Sequence, residues 1–193
     1  MEELEKRFYI FDEVELEIED FDSDGFILDI GGGGEGVIGR LKGKEVIAID
    51  IRREELEEVA EGPLKIVLDA RQLKFLEESF NTVTAFFSMM YIEDEQDQHK
   101  IMGEIFRVLK PGGHFHLWDI DLSHRPNTDK SRYLVHLKYR IRGEVRETGY
   151  GFRWPSASRG VGYYITMGEG VGLRHIETKR NDLLFYLLFC KEC

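Results

Sequence analysis

Phe26-Ile27-Leu28-Asp29-Ile30-Gly31-Gly32-Gly33-Gly34-Glu35-Gly36 is the stretch on which the reading of this chain turns. A short apolar run leads into glycines, and a helical pattern over Glu35–Leu41 follows. Glycine suits such a turn because the backbone must bend tightly and a ligand must approach it with no Cβ in the way. The helix start beyond it offers backbone N–H donors to an anionic group. The second apolar run, Glu45–Asp50, ends in an acid placed to accept hydrogen bonds from ribose hydroxyls. A strand, a glycine turn, a helix and an acid at the next strand end together point to a nucleotide site.

Working outward, the same alternation continues on the C-terminal side. Strands are expected at Phe26–Ile30, Glu45–Asp50, Lys65–Asp69, Thr82–Ser88 and His114–Ile120, each nearly continuously apolar, as strands buried on both faces are. Helical stretches fall at Arg53–Ala60, near Gln72–Glu77, and most clearly at Asp94–Leu109. There Ile101, Ile105 and Leu109 recur every four residues, with Met102 and Phe106 beside them. Acids crowd the start of that helix, and Pro111-Gly112-Gly113 is expected to stop it. Strands alternating with helices give right-handed crossovers and an α/β doubly wound, mostly parallel sheet. At the far end, His175–Lys179 and Leu183–Phe189 flank Asn181-Asp182 and read as a terminal antiparallel hairpin closing the sheet. A weaker helical pattern lies in glycine-rich Gly160–Gly172.

Two flanks break the pattern. Residues 1–24 carry eleven acidic and two basic groups, with Val14, Leu16 and Ile18 alternating with Glu15, Glu17 and Glu19 as in a half-exposed edge strand. Residues 124–159 carry nine Lys or Arg against Asp129, Glu144 and Glu147. Within them Tyr133, Val135, Leu137, Tyr139 and Ile141 alternate with His136, Lys138, Arg140 and Arg142, a strand with one apolar and one basic face that returns at Gly143-Glu144. The map is a single domain over 1–193: an acidic N-terminal extension 1–24, a ligand-binding core 25–121, a basic β insertion 122–159 after the fifth strand, and a sheet-closing segment 160–193.

Across 193 residues the formal charge is −11, with 42% hydrophobic and 12% aromatic residues. That composition belongs to a globular chain with a sizeable core. The acidic balance argues against general nucleic-acid binding, which needs clustered Lys and Arg. The longest clean apolar run, Leu183–Cys190, is too short to cross a bilayer, and the sequence from Met1 lacks a signal-peptide pattern. A soluble cytoplasmic protein is the expectation. Cys190 and Cys193 form a Cys-x-x-Cys at the chain end with no second pair to complete a zinc site, so they read as a strand cysteine and a frayed terminal one.

Gly31-x-Gly33-x-x-Gly36 has the spacing of a dinucleotide fingerprint, which leaves a nicotinamide-dependent oxidoreductase as one reading. Asp29-x-Gly31-x-Gly33, however, resembles the first motif of class I S-adenosylmethionine-dependent methyltransferases. Ile66-Val67-Leu68-Asp69-Ala70 resembles their third motif, and Phe80-Asn81-Thr82-Val83-Thr84-Ala85-Phe86-Phe87-Ser88 their fourth. Ile105-Phe106-Arg107-Val108-Leu109-Lys110-Pro111-Gly112-Gly113-His114-Phe115 is similar to the segment leading into their fifth strand. The motifs stand in the family's order over residues 26–120.

The resemblance implies a Rossmann-like sheet, S-adenosylmethionine as cofactor and methyl transfer to a small acceptor. Asp29, Gly31 and Gly33 would line the methionine part of the donor, Asp50 would bind the ribose hydroxyls and Ile51 would pack on adenine. Asp69 and Ala70 would meet the adenine amino edge, and Ser88 would end the strand beneath the donor. Glu35 stands where the family has its third glycine, which leaves the parts played by Gly34, Glu35 and Gly36 open.

Methyl transfer asks the protein mainly to align the acceptor and exclude water, with a base only if the acceptor must lose a proton. Tyr91, after the fourth strand, and Asp119, Asp121 and His124, after the fifth, are the candidates. Asp119 and Asp121 share a face at a strand rim, where they could hold a metal, abstract a proton or, as is commoner, stand solvated. No His-Glu-x-x-His or similar metal pattern occurs. Arg132, His136, Lys138, Arg140 and Arg142 suit an anionic acceptor, a local RNA contact with Tyr133, Tyr139, Tyr150, Phe152 and Trp154 as stacking surfaces, or a solvated face balancing the acidic body. A methyltransferase-like module that binds the donor without turnover is the remaining alternative. The sequence leaves oligomeric state open.

Overall fold

In the computed structural model, which describes residues 2–181 and 183–192, the apolar run before the glycines forms β3 (Ile27–Ile30), and all four of its residues are buried. The reason is its place in the middle of the main sheet. It lies parallel to β4 (Val46–Asp50) on one side and β6 (Phe80–Phe86) on the other. Beyond β4 runs β5 (Leu64–Val67), and beyond β6 runs β7 (Leu109–Ile120), all parallel. The hairpin of β10 (Leu173–Asn181) and β11 (Leu184–Lys191) then joins antiparallel, giving seven strands in the order β10-β11-β7-β6-β3-β4-β5. The order reverses at β3, so its C-terminal end opens the crevice in which such sheets hold ligands.

One face of this sheet is covered by α4 (Glu95–Val108) and α5 (Val161–Gly170), whose Ile101, Met102, Ile105, Tyr164 and Met167 pack on Val83, Phe115, Leu117 and Leu187. Fully burying side chains of this size is worth roughly 1.5–3 kcal/mol each. Asp94 caps α4, its carboxylate accepting from the Gln96 and Asp97 amides at 2.7 and 3.1 Å. The helix ends at Val108, ahead of Pro111. Pro111-Gly112-Gly113 therefore does not stop the helix directly; it is looped out within β7, whose register against β6 jumps between Leu109 and His114.

The other face is covered by α2 (Val37–Lys42) and by a second sheet built from both unusual flanks. β8 (Arg132–Ile141) and β9 (Glu144–Arg153) form an antiparallel hairpin turned at Arg142-Gly143, both with positive φ. After α1 (Glu2–Arg7), β1 (Phe8–Ile10) and β2 (Val14–Glu17) pair parallel with β8, one after the other along the edge that β9 leaves open. Tyr133, Val135, Leu137, Tyr139 and Ile141 are all buried, as their alternation predicts, against Phe86, Trp118, Ile120 and Leu41.

On the opposite face of β8 the charges meet their complements. Lys138 Nζ lies 2.9 Å from Glu15, and Arg140 Nε lies 3.2 Å from Glu17. Arg142 donates to the Leu41 carbonyl at 2.7 Å. The acidic and basic flanks thus zip together as neighbouring strands.

Several boundaries differ from expectation. β5 is an exposed edge, with Leu64 and Val67 about half accessible, because nothing pairs beyond it in the sheet order. Gln72–Glu77 forms no helix; a single 3-10 turn spans Ala70–Gln72, capped by Asp69. β6 stops at Phe86, so Ser88 lies past the strand and opens a 3-10 turn, Met89–Tyr91. α3 (Arg53–Glu58) ends two residues early. Cys190 sits half-buried on β11, whereas Asp182 and Cys193 lie outside the described residues. No helix among the described residues is long and apolar enough to cross a membrane.

Candidate active site

The C-terminal ends of β3, β4 and β6 open into a cleft of about 990 Å³. Its floor is the glycine turn, whose conformation only glycine supports comfortably at Gly31. There φ is +67°, and a Cβ would come within 2.5 Å of Ser88 Cβ. Ser88 is held in that position by donating to the Ile30 carbonyl at 2.7 Å. At Gly33 a Cβ would meet Asp50 Oδ2 at 2.8 Å, so the missing side chain lets the turn lie directly on the acid of β4. The Gly32 and Gly34 amides donate to the Ile49 and Glu55 carbonyls at 3.0 and 2.8 Å, which fixes the turn to β4 and α3. Gly36, also left-handed, precedes the six-residue α2.

Asp29 lies beneath this turn and is only 2% exposed. Its carboxylate accepts from Thr84 Oγ1 at 2.6 Å. Burial, together with nearby Asp50, pushes its pKa up to about 7 against the opposing Thr84 bond. Asp50 accepts from the Arg52 amide at 2.9 Å through Oδ1, and its Oδ2 faces Gly33. Ile51 beside it is 60% exposed, an apolar shelf at the cleft wall. Asp69 is gripped by the Arg71 guanidinium at 2.6 Å, which holds its carboxyl below the usual range. That arginine also reaches Asp97 of α4 at 2.8 Å.

All eight residues expected at the donor, namely Asp29, Gly31, Gly33, Asp50, Ile51, Asp69, Ala70 and Ser88, line this one cleft. Of the base candidates, Tyr91 lines it too. Burial pushes its hydroxyl up to about 12, the Gly151 amide opposing the shift.

Asp119 does not stand at a solvated rim as its strand position predicts. It is fully buried: Trp118 and Ile120 on either side of it face the second sheet, so Asp119 points to the face that α5 covers, near Arg159 and Tyr164. It accepts from the Ile120 amide at 2.8 Å, while its Oδ2 has no hydrogen-bond partner. Burial raises its pKa to about 7, against the opposing pull of the nearby Ile120 and Met90 amides. Asp121 faces elsewhere, accepting from the Ser123 amide at 3.0 Å and lying 3.7 Å from Arg180. His124 is exposed, with Nδ1 3.0 Å from Ser123 Oγ, and does not line the cleft. Among the described residues no group of three or more His, Cys, Asp or Glu is arranged to hold a metal.

The opposite wall comes from β9, in Thr148, Gly149, Tyr150, Gly151 and Phe152. The sequence names Tyr150 and Phe152 only as stacking surfaces. The Gly-Tyr-Gly-Phe alternation is the one local signal that this strand presents rings to one side over a close-packed backbone. Phe87 and Glu35 line the cleft as well.

The residues present fit an S-adenosyl group. Ile51 offers an uncovered apolar face to a flat base, the Asp50 carboxylate is an acceptor for a hydroxyl pair, and the floor carries negative charge toward a sulfonium and an ammonium. Comparison with known proteins agrees. Residues 28–117 match the family described as a methyltransferase domain. A segment of 77 residues is 32% identical to the sterol 4-C-methyltransferase strm-1 of Caenorhabditis elegans, covering 38% of this chain and 22% of that protein's length. Among solved structures, an S-adenosylmethionine-dependent methyltransferase of Methanosarcina mazei superposes with a TM-score of 0.65 at 19% identity, over 89% of this chain and 94% of the other. One from Clostridium acetobutylicum gives 0.61 at 16% identity, over 88% and 85%.

Residues 28–117 thus carry a match to the methyltransferase-domain family, and sheet order and glycine turn give the chain the fold of the S-adenosylmethionine-dependent methyltransferase structures above. The nicotinamide reading rested on glycine spacing alone and falls away.

Proposed function

We propose that this protein transfers the methyl group of S-adenosylmethionine to a small acceptor held between the glycine turn and β9. The observation that carries this reading is the single cleft in which the eight donor residues face the Thr148–Phe152 wall. When bound, the donor supplies a methyl group already activated on a sulfonium. Asp50 takes the ribose hydroxyls, Ile51 the adenine face, and Asp69 with Ala70 the adenine edge. The Gly31 and Gly33 backbone allows close approach of the methionine half, and Asp29 lies beneath it. β9 closes the far side and excludes water from the transfer. Tyr91, protonated at neutral pH, acts as a wall and hydrogen-bond donor rather than as a base.

The anionic acceptor suggested by the basic segment loses its support. Arg140 and Lys138 are engaged by β2, and none of Arg132, His136, Lys138, Arg140 and Arg142 lines the cleft. The acceptor belongs with the uncharged and cationic small molecules instead. Calorimetric titration with S-adenosylhomocysteine, with NADH in parallel, tests the donor site. Micromolar binding of S-adenosylhomocysteine alone is expected, and binding of NADH alone would overturn the assignment. Formation of S-adenosylhomocysteine from S-adenosylmethionine in the presence of a metabolite mixture separates an enzyme from a binding module.

A further inference from the structure

The part of the cleft facing β9 is an aromatic enclosure with an acidic edge. Phe87 stands in the left-handed region at φ +48°, a conformation costly for a residue with a bulky side chain. Its amide donates to the Trp118 carbonyl at 2.9 Å, which keeps it there. In that position its ring stacks on Tyr150, centroids 4.7 Å apart and planes within 16°. Tyr91 meets Phe152 edge-on at 5.3 Å. Tyr150 and Phe152 alternate with Gly149 and Gly151 along β9, opposite Val135 and Tyr133 of β8, so both rings project from the buried face of the hairpin.

Charge is one-sided here. Nine carboxylates and two guanidinium groups line the whole cleft among its described residues, and those two, Arg52 and Arg71, are already paired with Glu55 and with Asp69 and Asp97. Beside Tyr150 the charged groups are Glu35 and, beneath the turn, Asp29. Of the arginines behind this region, Arg40 donates to the Glu35 backbone carbonyl at 2.8 Å, Arg146 to Glu144 at 2.9 Å, and Arg153 lies 3.7 Å from Glu93, and none of the three lines the cleft. Aromatic faces with carboxylates and no opposing cation attract organic cations.

Resting on the methyl-transfer reading above, the geometry points to an acceptor that is a flat organic amine, received as its ammonium ion against Tyr150, which the buried Phe87 ring backs, and the Tyr91–Phe152 pair, with Glu35 as counter-charge. The ammonium proton leaves to solvent past the half-exposed Glu35. The nitrogen lone pair then forms the new N–C bond while the sulfonium S–C bond breaks and its electron pair stays on sulfur. The products are the methylated ammonium ion, neutral S-adenosylhomocysteine and the one proton already released.

The test uses the full chain saturated with S-adenosylhomocysteine, its binding first confirmed by titration. Phenethylamine, 2-phenylethanol and 3-phenylpropanoate, a cation, a neutral molecule and an anion of matched shape, are then titrated in turn. The amine is expected to bind about tenfold more tightly than the alcohol, and the carboxylate not measurably. Glu35→Gln, measured at S-adenosylhomocysteine concentrations shown to saturate the variant, should bring amine and alcohol to within about twofold of each other. Tyr150→Leu should weaken the amine by about tenfold. Equal binding of alcohol and amine, tighter binding of the carboxylate, an unaltered preference in Glu35→Gln, or no binding by any of the three would overturn the amine assignment while leaving the donor site standing. Failure of S-adenosylhomocysteine itself to bind would remove the donor site and this acceptor with it.

Discussion

The glycine-turn wall of the cleft is made from the ends of parallel strands locked into a buried sheet, whereas the facing wall is one side of an antiparallel hairpin laid over that sheet. On the first wall, position is set by backbone: Gly31 rests on Ser88 and Gly33 on Asp50 with no room for a side chain. On the second, it is set by side chains, through ring pairs such as Phe87–Tyr150 and Tyr91–Phe152. The match to the methyltransferase family covers residues 28–117 and stops before the hairpin. The comparison teaches that a wall set by close-packed backbone leaves no room for added side chains, while one set by ring pairs can be rebuilt ring by ring.

Substitutions can break that contrast in graded steps. Gly31→Val should have the largest effect, because it combines a strained positive φ with a Cβ driven into Ser88. A loss of roughly 3–5 kcal/mol in urea denaturation is expected, together with loss of S-adenosylhomocysteine binding by calorimetry. Wild-type stability with intact binding would show that the turn can be rebuilt around a side chain.

Asp119→Asn probes the seam between the two walls. A carboxyl that ionises at about 7 when folded, instead of in the usual range near 4, costs nothing below pH 4. Its full cost falls on the folded state only above pH 7, so wild-type stability declines across that window. Asparagine keeps the acceptor for the Ile120 amide and removes the buried charge. The variant should match wild type at pH 4 and exceed it by roughly 2–4 kcal/mol at pH 8. His116, whose burial lowers its pKa to about 3, pulls stability the other way as pH falls, but equally in both proteins. A difference that does not change with pH would mean that Asp119 carries no such charge penalty.

Asp50→Ala should weaken S-adenosylhomocysteine binding by about 1–3 kcal/mol through lost hydrogen bonds to a charged acceptor, with the fold intact. Unchanged affinity would take Asp50 out of the site. The smallest effect is expected from Arg140→Glu. The residue faces Glu17 on the outer side of β8, so donor affinity and acceptor kinetics should stay as they are. Any drop in urea midpoint should be slight and should fade in high salt. Altered acceptor kinetics would bring the outer face into the site.

These contrasts also explain what could be read from the sequence. The parallel core was legible because buried strands are continuously apolar and a glycine turn between strand and helix marks a nucleotide site; Asp50 follows from it by position, and Ile51 only through the family resemblance. Residue alternation disclosed β8 and β2 as strands but not that they pair, because register between distant segments has no local signature. Asp119 was misplaced because a carboxylate in a strand normally marks its solvated end, and only the tertiary cover supplied by α5 and the segment around Arg159 buries it. His124 was misplaced for the converse reason: nearness in sequence to the strand end does not turn a loop side chain toward the cleft. Tyr150 and Phe152 stood in plain sight, yet nothing local says which sheet face they meet.

The pairing of β1 and β2 with β8 also orders events in time. On the ribosome, Phe8 and Val14 emerge long before Arg132 and Leu137, the residues they lie against, and the strands that form the donor floor are made in between. Closing so long a loop is slow compared with the local contacts around it. The glutamates of β2 keep the waiting strand from pairing with other chains until Lys138 and Arg140 arrive. The glycine-turn floor can therefore be assembled first, and the β9 wall is the last part of the cleft to be clasped into place.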